Sequence, residues 1–331
     1  MRNQRFIAPA LALLIAALPA ATASAQDDEV PRGPTFGDRA LQALVDGIQF
    51  GVIIAICAVG LSLIFGTVHL INFAHGELVT IGATFAFFLN VTPSGPHWHL
   101  IPATLAAVVF GALLGGAIER FLMRRLRTRG TGLINLFIVT IGLSLLLRHL
   151  VLVFYGARPG SYAQYDIQRA WDLGPVGITP RDLTVTLLSV AVLLGVAALL
   201  QKTRIGTAIR AVSVDRDLAE ASGIDVRRVV LIVWMLGGAL AALGGVFFGL
   251  VEIVSWDMGF KLLLMMFAGI ILGGLGSAYG AMVGSLVVGV VAQVSTLWFP
   301  LDLQYAWALL TLIVVLLIRP QGILGRRERV G

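Results

Sequence analysis

Residues 51–66 read GVIIAICAVGLSLIFG, and residues 78–90 read LVTIGATFAFFLN. The first run belongs to an apolar stretch over 44–66, and a helix of about 20 such residues crosses a bilayer. Between the two runs, residues 71–77 read INFAHGE, which places an amide, an imidazole and a carboxylate close together. The pattern predicts two membrane helices joined by a polar segment.

The composition of the whole chain also indicates a membrane protein. Of its 331 residues, 58% are hydrophobic and 13% are charged, whereas soluble domains carry about 25% charged residues. The net charge of +6 does not indicate nucleic-acid binding, because most basic residues fall in a few segments that separate or follow the apolar runs. The single cysteine, Cys57, allows no intrachain disulfide and no cysteine-based metal site. We therefore expect a protein surrounded by membrane lipid, with no metal, no cofactor and no catalytic residues.

The apolar runs predict an all-α fold, a polytopic bundle of about nine transmembrane helices. The predicted spans are 44–66, 77–92, 101–122, 132–154, 183–201, 229–251, 262–275, 277–297 and 303–318. Many of the 38 glycines cluster inside these spans. Small residues let membrane helices approach closely, so the bundle is expected to be tightly packed.

Arginine and lysine predict the orientation of the bundle, because cytoplasmic loops are enriched in them. Five basic residues lie in 120–129, six in 202–228 and four in 319–331. With the N-terminus outside, nine crossings place all three segments, including the C-terminus, inside. The C-terminus lies inside only if the seventh and eighth spans are two separate helices. The sequence GGLGS at 273–277 predicts the break between them.

The two ends of the chain differ from its apolar middle. Residues 1–25 have a basic start, an apolar core and an A-x-A end, a pattern typical of a secretory signal peptide. An uncleaved first helix is the alternative. We expect an acidic external tail over 26–43, a transmembrane domain over 44–318 and a basic cytoplasmic tail over 319–331.

The polar segment INFAHGE has two interpretations. The predicted topology puts it in a turn at the inner end of the first span, where Asn72 could cap a helix start. Glu77 would then be favoured by the helix dipole. On this interpretation the segment is a structural helix–turn–helix; on the other, Asn72, His75 and Glu77 line a gate or a pathway.

Two further features belong to the predicted spans. Gly-interrupted hydrophobic segments can mark broken helices that line a transport path, and the segment Gly273, Gly274, Gly276 and Ser277 is the strongest candidate. Arg148, late in the fourth span, is expected to extend its long stem to the outer interface.

The cytoplasmic segment 202–228 is long for a connection between membrane helices. Its parts AIRAVS and RDLAEAS predict two short amphipathic helices, and Gly223 is well placed to end the second one. The segment is either a docking element for a cytoplasmic partner or an ordinary interfacial loop. The residues that would carry docking are Arg210, Asp215, Asp217, Glu220 and Gly223.

Four separated blocks of the sequence resemble the permease subunits of branched-chain amino acid ABC importers. The blocks are INFAHGELVTIGA at 71–83, AIRAVSVDRDLAEASGIDV at 208–226, GGLGSAYGAMVG at 273–284 and RPQGILG at 319–325. Their order and spacing agree across roughly residues 41–325. INFAHGE resembles the H-type permease of the leucine/isoleucine/valine system, and urea-importer permeases carry very similar blocks.

The resemblance implies a transport subunit of the bacterial inner membrane that is not itself an enzyme. Two permease subunits, here a heterodimer, would form the pathway, two cytoplasmic ATP-binding subunits would drive it, and an external binding protein would deliver the solute. The implied role of 202–228 is coupling to the ATPase. The chain contains no G-x-x-x-x-G-K-[ST] phosphate loop, which agrees with ATP binding on another polypeptide. The implied solute is a branched-chain or related amino acid, with urea or a short amide as the alternative.

Two other function classes remain to be weighed. Ser62 and His75 could form the nucleophile and base of an intramembrane serine hydrolase, which requires hydrogen-bond reach between them. Thirteen residues and a predicted turn separate them, which argues against this pair. A passive channel would not need the long cytoplasmic segment.

Overall fold

The computed structural model of the protein describes residues 35–165, 168–174, 176–318 and 322–323. The predicted signal peptide over 1–25 lies outside the described residues. So do half of the predicted acidic tail and all but two residues of the predicted basic tail.

The described chain is built from helices, as the apolar runs predict. The helices are α1 Phe36–Val68, α2 His75–Asn90, α3 Leu100–Ala117, α4 Arg124–Thr128, α5 Leu133–Tyr155, α6 Pro180–Lys202, α7 Arg204–Val214, α8 Arg216–Ala221, α9 Val226–Val251, α10 Met258–Gly273, α11 Ala278–Ser295 and α12 Gln304–Ile318. A helix overlaps each of the nine predicted spans. Six of them are long and apolar enough to cross a membrane: α1, α3 with its continuation into α4, α5, α6, α9 and α11.

The helices differ in how deeply they lie in the bundle. In the most apolar part of α1, 83% of the residues are buried, and in α9 the share is 67%. The corresponding share in α5 is 22%, so most of this helix faces outward with apolar side chains such as Val153 and Phe154. A helix that is apolar on all sides and buried over so small a share suits contact with lipid or with another membrane subunit.

Two helices extend beyond their predicted limits. Helix α1 begins at Phe36, eight residues before the predicted span. Helix α3 does not end in the predicted connection 120–129; it continues through a π-helical turn over Ile118–Met123 into α4. Glu119 in this turn is buried and pairs with Arg127. The buried carboxylate thus offsets one of the arginine charges of this segment within the helix.

The connection between α5 and α6 contains a small hairpin that the sequence analysis does not predict. Strand β1, Trp171–Leu173, pairs with β2, Val176–Ile178, in antiparallel register with Trp171 opposite Ile178. The hairpin is tied to α1, because the Gln42 side chain accepts from the Gly177 N–H at 2.9 Å and donates to its carbonyl at 3.1 Å. The described part of the fold therefore remains helical, with one small hairpin in the connection between α5 and α6.

The glycine clusters mark the closest helix crossings. A Cβ placed on Gly60 of α1 would lie 3.0 Å from the Gly237 Cα of α9. A Cβ placed on Gly245 of α9 would lie closer still to the Val79 carbonyl oxygen of α2. Larger side chains at these positions would hold the backbones apart, so the expectation that glycine serves tight packing is confirmed at the centre of the bundle.

Candidate functional site

The polar segment 71–77 folds back into the bundle after α1 ends. His69 takes a left-handed backbone conformation, with φ of 52°, which is uncommon for a residue other than glycine. Residues 69–74 are not helical, and α2 starts at His75. The Asn72 side-chain oxygen accepts from the Ala74 N–H at 3.1 Å. Asn72 therefore accepts from a backbone N–H two residues on, as expected. The bond closes a turn ahead of α2 and does not cap the helix, because Ala74 is the residue that precedes α2.

His75 is fully buried and contacts the backbone of α1. Its Nε2 lies 3.1 Å from the Cys57 carbonyl oxygen. A carbonyl can only accept, so Nε2 carries the proton in this contact. Nδ1 of His75 and the side-chain nitrogen of Asn72 are buried and have no hydrogen-bond partner among the described residues. These two groups are available to a water molecule or a polar solute group.

Glu77, also fully buried, forms the centre of the polar cluster. One of its oxygens, Oε1, accepts from Ser144 at 3.0 Å and from Arg148 Nη2 at 2.9 Å. Arg148 Nε donates to the same oxygen at 3.1 Å. The other oxygen has no hydrogen-bond partner among the described residues. A buried carboxylate needs partners such as Arg148 and Ser144, because an isolated charge in an apolar medium is strongly unfavourable.

The position of Arg148 corrects a prediction. The sequence analysis expects its side chain to extend to the outer interface. Instead only 13% of the side chain is exposed, and the guanidinium carbon lies 3.8 Å from the centre of the Phe260 ring. The carboxylate of Glu77 and the aromatic face together hold the arginine inside the bundle, because each attracts a cation more strongly away from water.

The depth of the segment corrects another prediction. The topology argument places 71–77 in a turn at the end of the first span. Glu77 instead contacts Ser144, the central residue of α5, which is about 16 Å from its first residue at 1.5 Å per residue. His75 contacts Cys57, which lies three turns inside the end of α1. The segment is therefore a polar cluster at mid-depth of the bundle.

Ser62 and His75 do not form a catalytic pair. The Ser62 hydroxyl is buried and has no hydrogen-bond partner among the described residues. His75 directs its one bonded nitrogen to the Cys57 carbonyl. A hydrolase nucleophile needs its base within hydrogen-bond reach, so this arrangement does not support the hydrolase alternative. Among the described residues, no group of three or more His, Cys, Asp or Glu residues could hold a metal ion.

The glycine-rich segment 273–277 connects two helices by a sharp turn. Helix α10 ends at Gly273, and Gly274 and Gly276 follow with φ of 110° and 79°. The Ser277 hydroxyl accepts from the Gly280 N–H at 3.0 Å and caps α11. Positive φ angles of this kind favour glycine, which explains the composition of the segment.

The two groups of predicted gate residues lie apart along α1. Gly276 faces Gly66, where an added Cβ would lie 3.0 Å from the Gly276 carbonyl oxygen. His75 instead lies against Gly60, which is about 9 Å from Gly66 along the axis of α1. Gly66 also lies against Ser213 of α7. The structure thus brings the 273–277 turn next to the segment 202–228 and not next to the cluster around Glu77.

The segment 202–228 contains the two predicted short helices. The Asp215 side chain accepts from the Leu218 N–H at 2.9 Å and caps α8. Gly223, with φ of 85°, ends α8, and the Ile224 N–H donates to the Ala219 carbonyl at 3.1 Å. This is the left-handed helix end that the sequence predicts. The five predicted docking residues are all exposed: Arg210, Asp215, Asp217, Glu220 and Gly223.

One face of this helix pair is apolar and open. Val214 and Leu218 are exposed, at 77% and 64%. They line a shallow groove of about 440 Å³ together with Arg210 and Asp215. The opposite face packs into the bundle through Ile209 and Val212. Exposed apolar residues rimmed by charges are typical of a protein interaction site.

The sequence analysis misses the residues that complete the polar cluster. Thr140 accepts from the Phe73 N–H at 3.3 Å, and Thr80 accepts from the Gly259 N–H at 3.0 Å. Ser144 and Arg148 bind Glu77. The sequence contains one signal for the pair of Glu77 and Arg148. A carboxylate inside an apolar span requires a cation nearby, and Arg148 is a charged residue of another span.

Two ionisable groups outside the helices are perturbed by burial. Burial raises the pKa of Glu252, which follows α9, and the nearby Arg181 opposes this shift. Burial also raises the pKa of Tyr162, whose hydroxyl donates to the Ala83 carbonyl at 3.0 Å. Both lie in the external connections of the predicted topology.

Comparison with known proteins assigns the chain to a family. Residues 43–318 match the family described as "Branched-chain amino acid transport system / permease component". The chain is 30% identical over 299 residues to the high-affinity branched-chain amino acid transport system permease protein LivH of Salmonella typhimurium and to LivH of Escherichia coli strain K12. It is 30% identical over 302 residues to the corresponding protein BraD of Pseudomonas aeruginosa. Each comparison covers 87% of this chain and 96% of the relative.

No solved structure matches the chain. The family match covers most of the sequence, and the relatives agree with it over nearly their full length. The chain, a multi-pass membrane protein, belongs to the family of permease components of branched-chain amino acid transport systems.

Proposed function

We propose that this chain is the permease subunit of an ATP-driven importer of branched-chain amino acids in the bacterial inner membrane. The observation that carries the proposal is the agreement with LivH and BraD over 96% of their lengths. Their names specify branched-chain amino acids, which favours this solute class over urea or a short amide. The chain transports and is not an enzyme, since ATP is hydrolysed on separate subunits.

The proposed topology has nine spans, with the N-terminus outside and the C-terminus inside. Its support is the charge pattern and the position of the helices, which overlap all nine predicted spans. Helices α2, α10 and α12 have 16, 16 and 15 residues, or about 24 Å at most, whereas the hydrocarbon core is about 30 Å thick. A short helix can still belong to the bundle when its polar end is enclosed by other helices. The interruption at 273–277 is then the helix break between the seventh and eighth spans.

The proposed complex has four further components. A second permease subunit faces the apolar outer surface of this one, two ATP-binding subunits lie in the cytoplasm, and an external binding protein delivers the amino acid. The proposed contact with an ATP-binding subunit is the exposed groove at Val214 and Leu218, with Arg210, Asp215, Asp217, Glu220 and Gly223 around it. Gly66 connects this segment to Gly276 by direct contact. Movement of the coupling segment would therefore reach the break at 273–277.

The proposed gate consists of two layers. The mid-depth layer is formed by Asn72, His75 and Glu77, which offer buried polar atoms without partners among the described residues. Polar groups inside a membrane bundle are costly and tend to face a pathway or water. The inner layer is formed by Gly273, Gly274, Gly276 and Ser277.

Uptake of L-leucine tests the proposed function. The chain is reconstituted in proteoliposomes with its partner permease, the ATP-binding subunits and the binding protein. We expect ATP-dependent accumulation of labelled leucine, and no accumulation of labelled urea. Urea accumulation without leucine accumulation would replace the proposed solute, and equilibration of leucine across the membrane without ATP would indicate a passive channel. Calorimetry of the partner binding protein identifies the solute independently.

A further inference from the structure

We infer that the first turn of α10 recognises the charged backbone of the amino acid on its way to the gate, through Asp257, Phe260 and Lys261. The inference rests on the proposed function and adds the residues that distinguish a zwitterion from a neutral solute such as urea. The three side chains lie on one turn of the helix, at positions i, i+3 and i+4, and therefore share a face.

The charges on this turn are arranged in a pair. Lys261 Nζ lies 2.9 Å from Asp257 Oδ2, with 54% of the lysine side chain and 26% of the aspartate side chain exposed. Ser255 donates to the other aspartate oxygen, Oδ1, at 3.0 Å. A pair this exposed contributes little to stability, so it can open at small cost. An open pair offers one ammonium group and one carboxylate, which are the complements of an α-carboxylate and an α-ammonium group.

The turn lies against the buried polar cluster. The Gly259 N–H donates to Thr80 of α2 at 3.0 Å, and Gly76 faces the Gly259 carbonyl oxygen. The Phe260 ring lies beneath the Arg148 guanidinium, which in turn binds Glu77. Phe260, which is 36% exposed, therefore joins two carboxylate–cation pairs: its ring contacts the Glu77–Arg148 pair, and the Asp257–Lys261 pair lies on its own helical turn.

The length of α10 places the pair below the membrane surface. The helix spans about 24 Å, and its last residue, Gly273, adjoins the break near the cytoplasmic segment. In the proposed topology its first turn then lies several ångströms inside the outer boundary of a core about 30 Å thick. Charged side chains at such a depth face water or a pathway and mark functional sites.

The recognition has a simple chemical form. Lys261 binds the solute carboxylate, and Arg148, whose guanidinium lies on the ring of the adjacent Phe260, adds further positive charge. Asp257 accepts from the solute ammonium group. The exposed part of the Phe260 ring provides an apolar surface for the branched side chain. The unpartnered oxygen of Glu77 is then the next acceptor for the ammonium group as the solute moves inward.

The experiment separates recognition from a merely structural ion pair. Asp257→Asn, Lys261→Gln and the double exchange Asp257→Lys with Lys261→Asp are reconstituted in the complete importer, with Asp172→Asn as the control. Asp172 is exposed and external in the proposed topology. The readouts are uptake of labelled L-leucine and ATP hydrolysis stimulated by the leucine-loaded binding protein, at equal amounts of assembled complex.

We expect leucine uptake to fall about tenfold or more in both single variants, as for loss of a hydrogen bond to a charged group. The exchanged pair should stay equally low, since its charges are reversed relative to Arg148 and Glu77. Stimulated ATP hydrolysis should remain near the wild-type rate, and the control should transport normally.

Three results would overturn the inference. Wild-type uptake in either single variant would show that the charge is not used. Recovery of uptake in the exchanged pair would show that only the ion pair matters. Loss of stimulated ATP hydrolysis together with uptake would place the defect in docking or coupling. If the unmodified importer accumulates no leucine, the proposed function fails first and the inference fails with it.

Discussion

Replacing Arg148 by methionine is expected to lower the free energy of unfolding by about 3–5 kcal/mol, because it leaves the buried Glu77 carboxylate without its cation. Among the described residues, only Ser144 would remain as a side-chain partner of that carboxylate. Thermal unfolding of the purified protein in detergent measures the effect, and leucine uptake should be lost with it. Arg129→Met is the matched control, because Arg129 is exposed beyond α4 and its loss should leave unfolding unchanged.

A second substitution separates stability from transport. Removing both charges, as in Glu77→Gln with Arg148→Met, should restore most of the unfolding temperature, since neutral replacement of a buried pair is often tolerated. Uptake should stay low if Glu77 lines the gate. The interpretation would be contradicted if Arg148→Met alone unfolded like the wild-type protein, or if the double variant were no more stable than the single one.

Substituting Gly223 by proline is expected to abolish most uptake while the complex remains assembled in the membrane. The native φ of 85° is closed to proline, and the Gly223 N–H that donates to the Glu220 carbonyl at 3.0 Å would be lost. Both changes disturb the end of α8 and its connection to α9. Glu220→Lys should also uncouple transport, because it reverses an exposed charge beside the proposed docking groove. Uptake and the membrane content of the assembled complex are the two quantities to measure.

The control for this substitution is Gly223→Asn. Asparagine tolerates the left-handed conformation and keeps the N–H, so its uptake should stay near the wild-type rate. If Gly223→Pro and Glu220→Lys both transported normally, the segment 202–228 would be an ordinary interfacial loop. Equal loss in Gly223→Asn and Gly223→Pro would place the defect in the side chain rather than in the backbone.

Much of the helical organisation follows from the sequence because it depends on local chemistry. Long apolar runs form helices wherever backbone hydrogen bonds must be satisfied away from water. The left-handed end of α8 at Gly223 and the short helices α7 and α8 are predicted from neighbouring residues alone. The early start of α1 at Phe36 and the extension of α3 were missed. At the extension of α3, the arginine content predicts a connection. Glu119 pairs there with Arg127, and the segment continues as a helix.

The polar cluster could not be predicted from one segment, because its partners come from distant parts of the chain. The sequence places Asn72, His75 and Glu77 together but does not give their depth. Charge counting assigned the ends of the spans and put INFAHGE at one of them. It could not detect that residues 69–74 turn back into the bundle. The contact between Glu77 and Arg148 joins residues 71 positions apart, which only the packing of α2 against α5 determines.

The most direct measurement of the central assignment is ATP hydrolysis in proteoliposomes that contain the partner permease, the ATP-binding subunits and the leucine-loaded binding protein, with and without this chain. We predict stimulation by the loaded binding protein only when this chain is present. Full stimulation in its absence would contradict its assignment as a permease subunit of the importer.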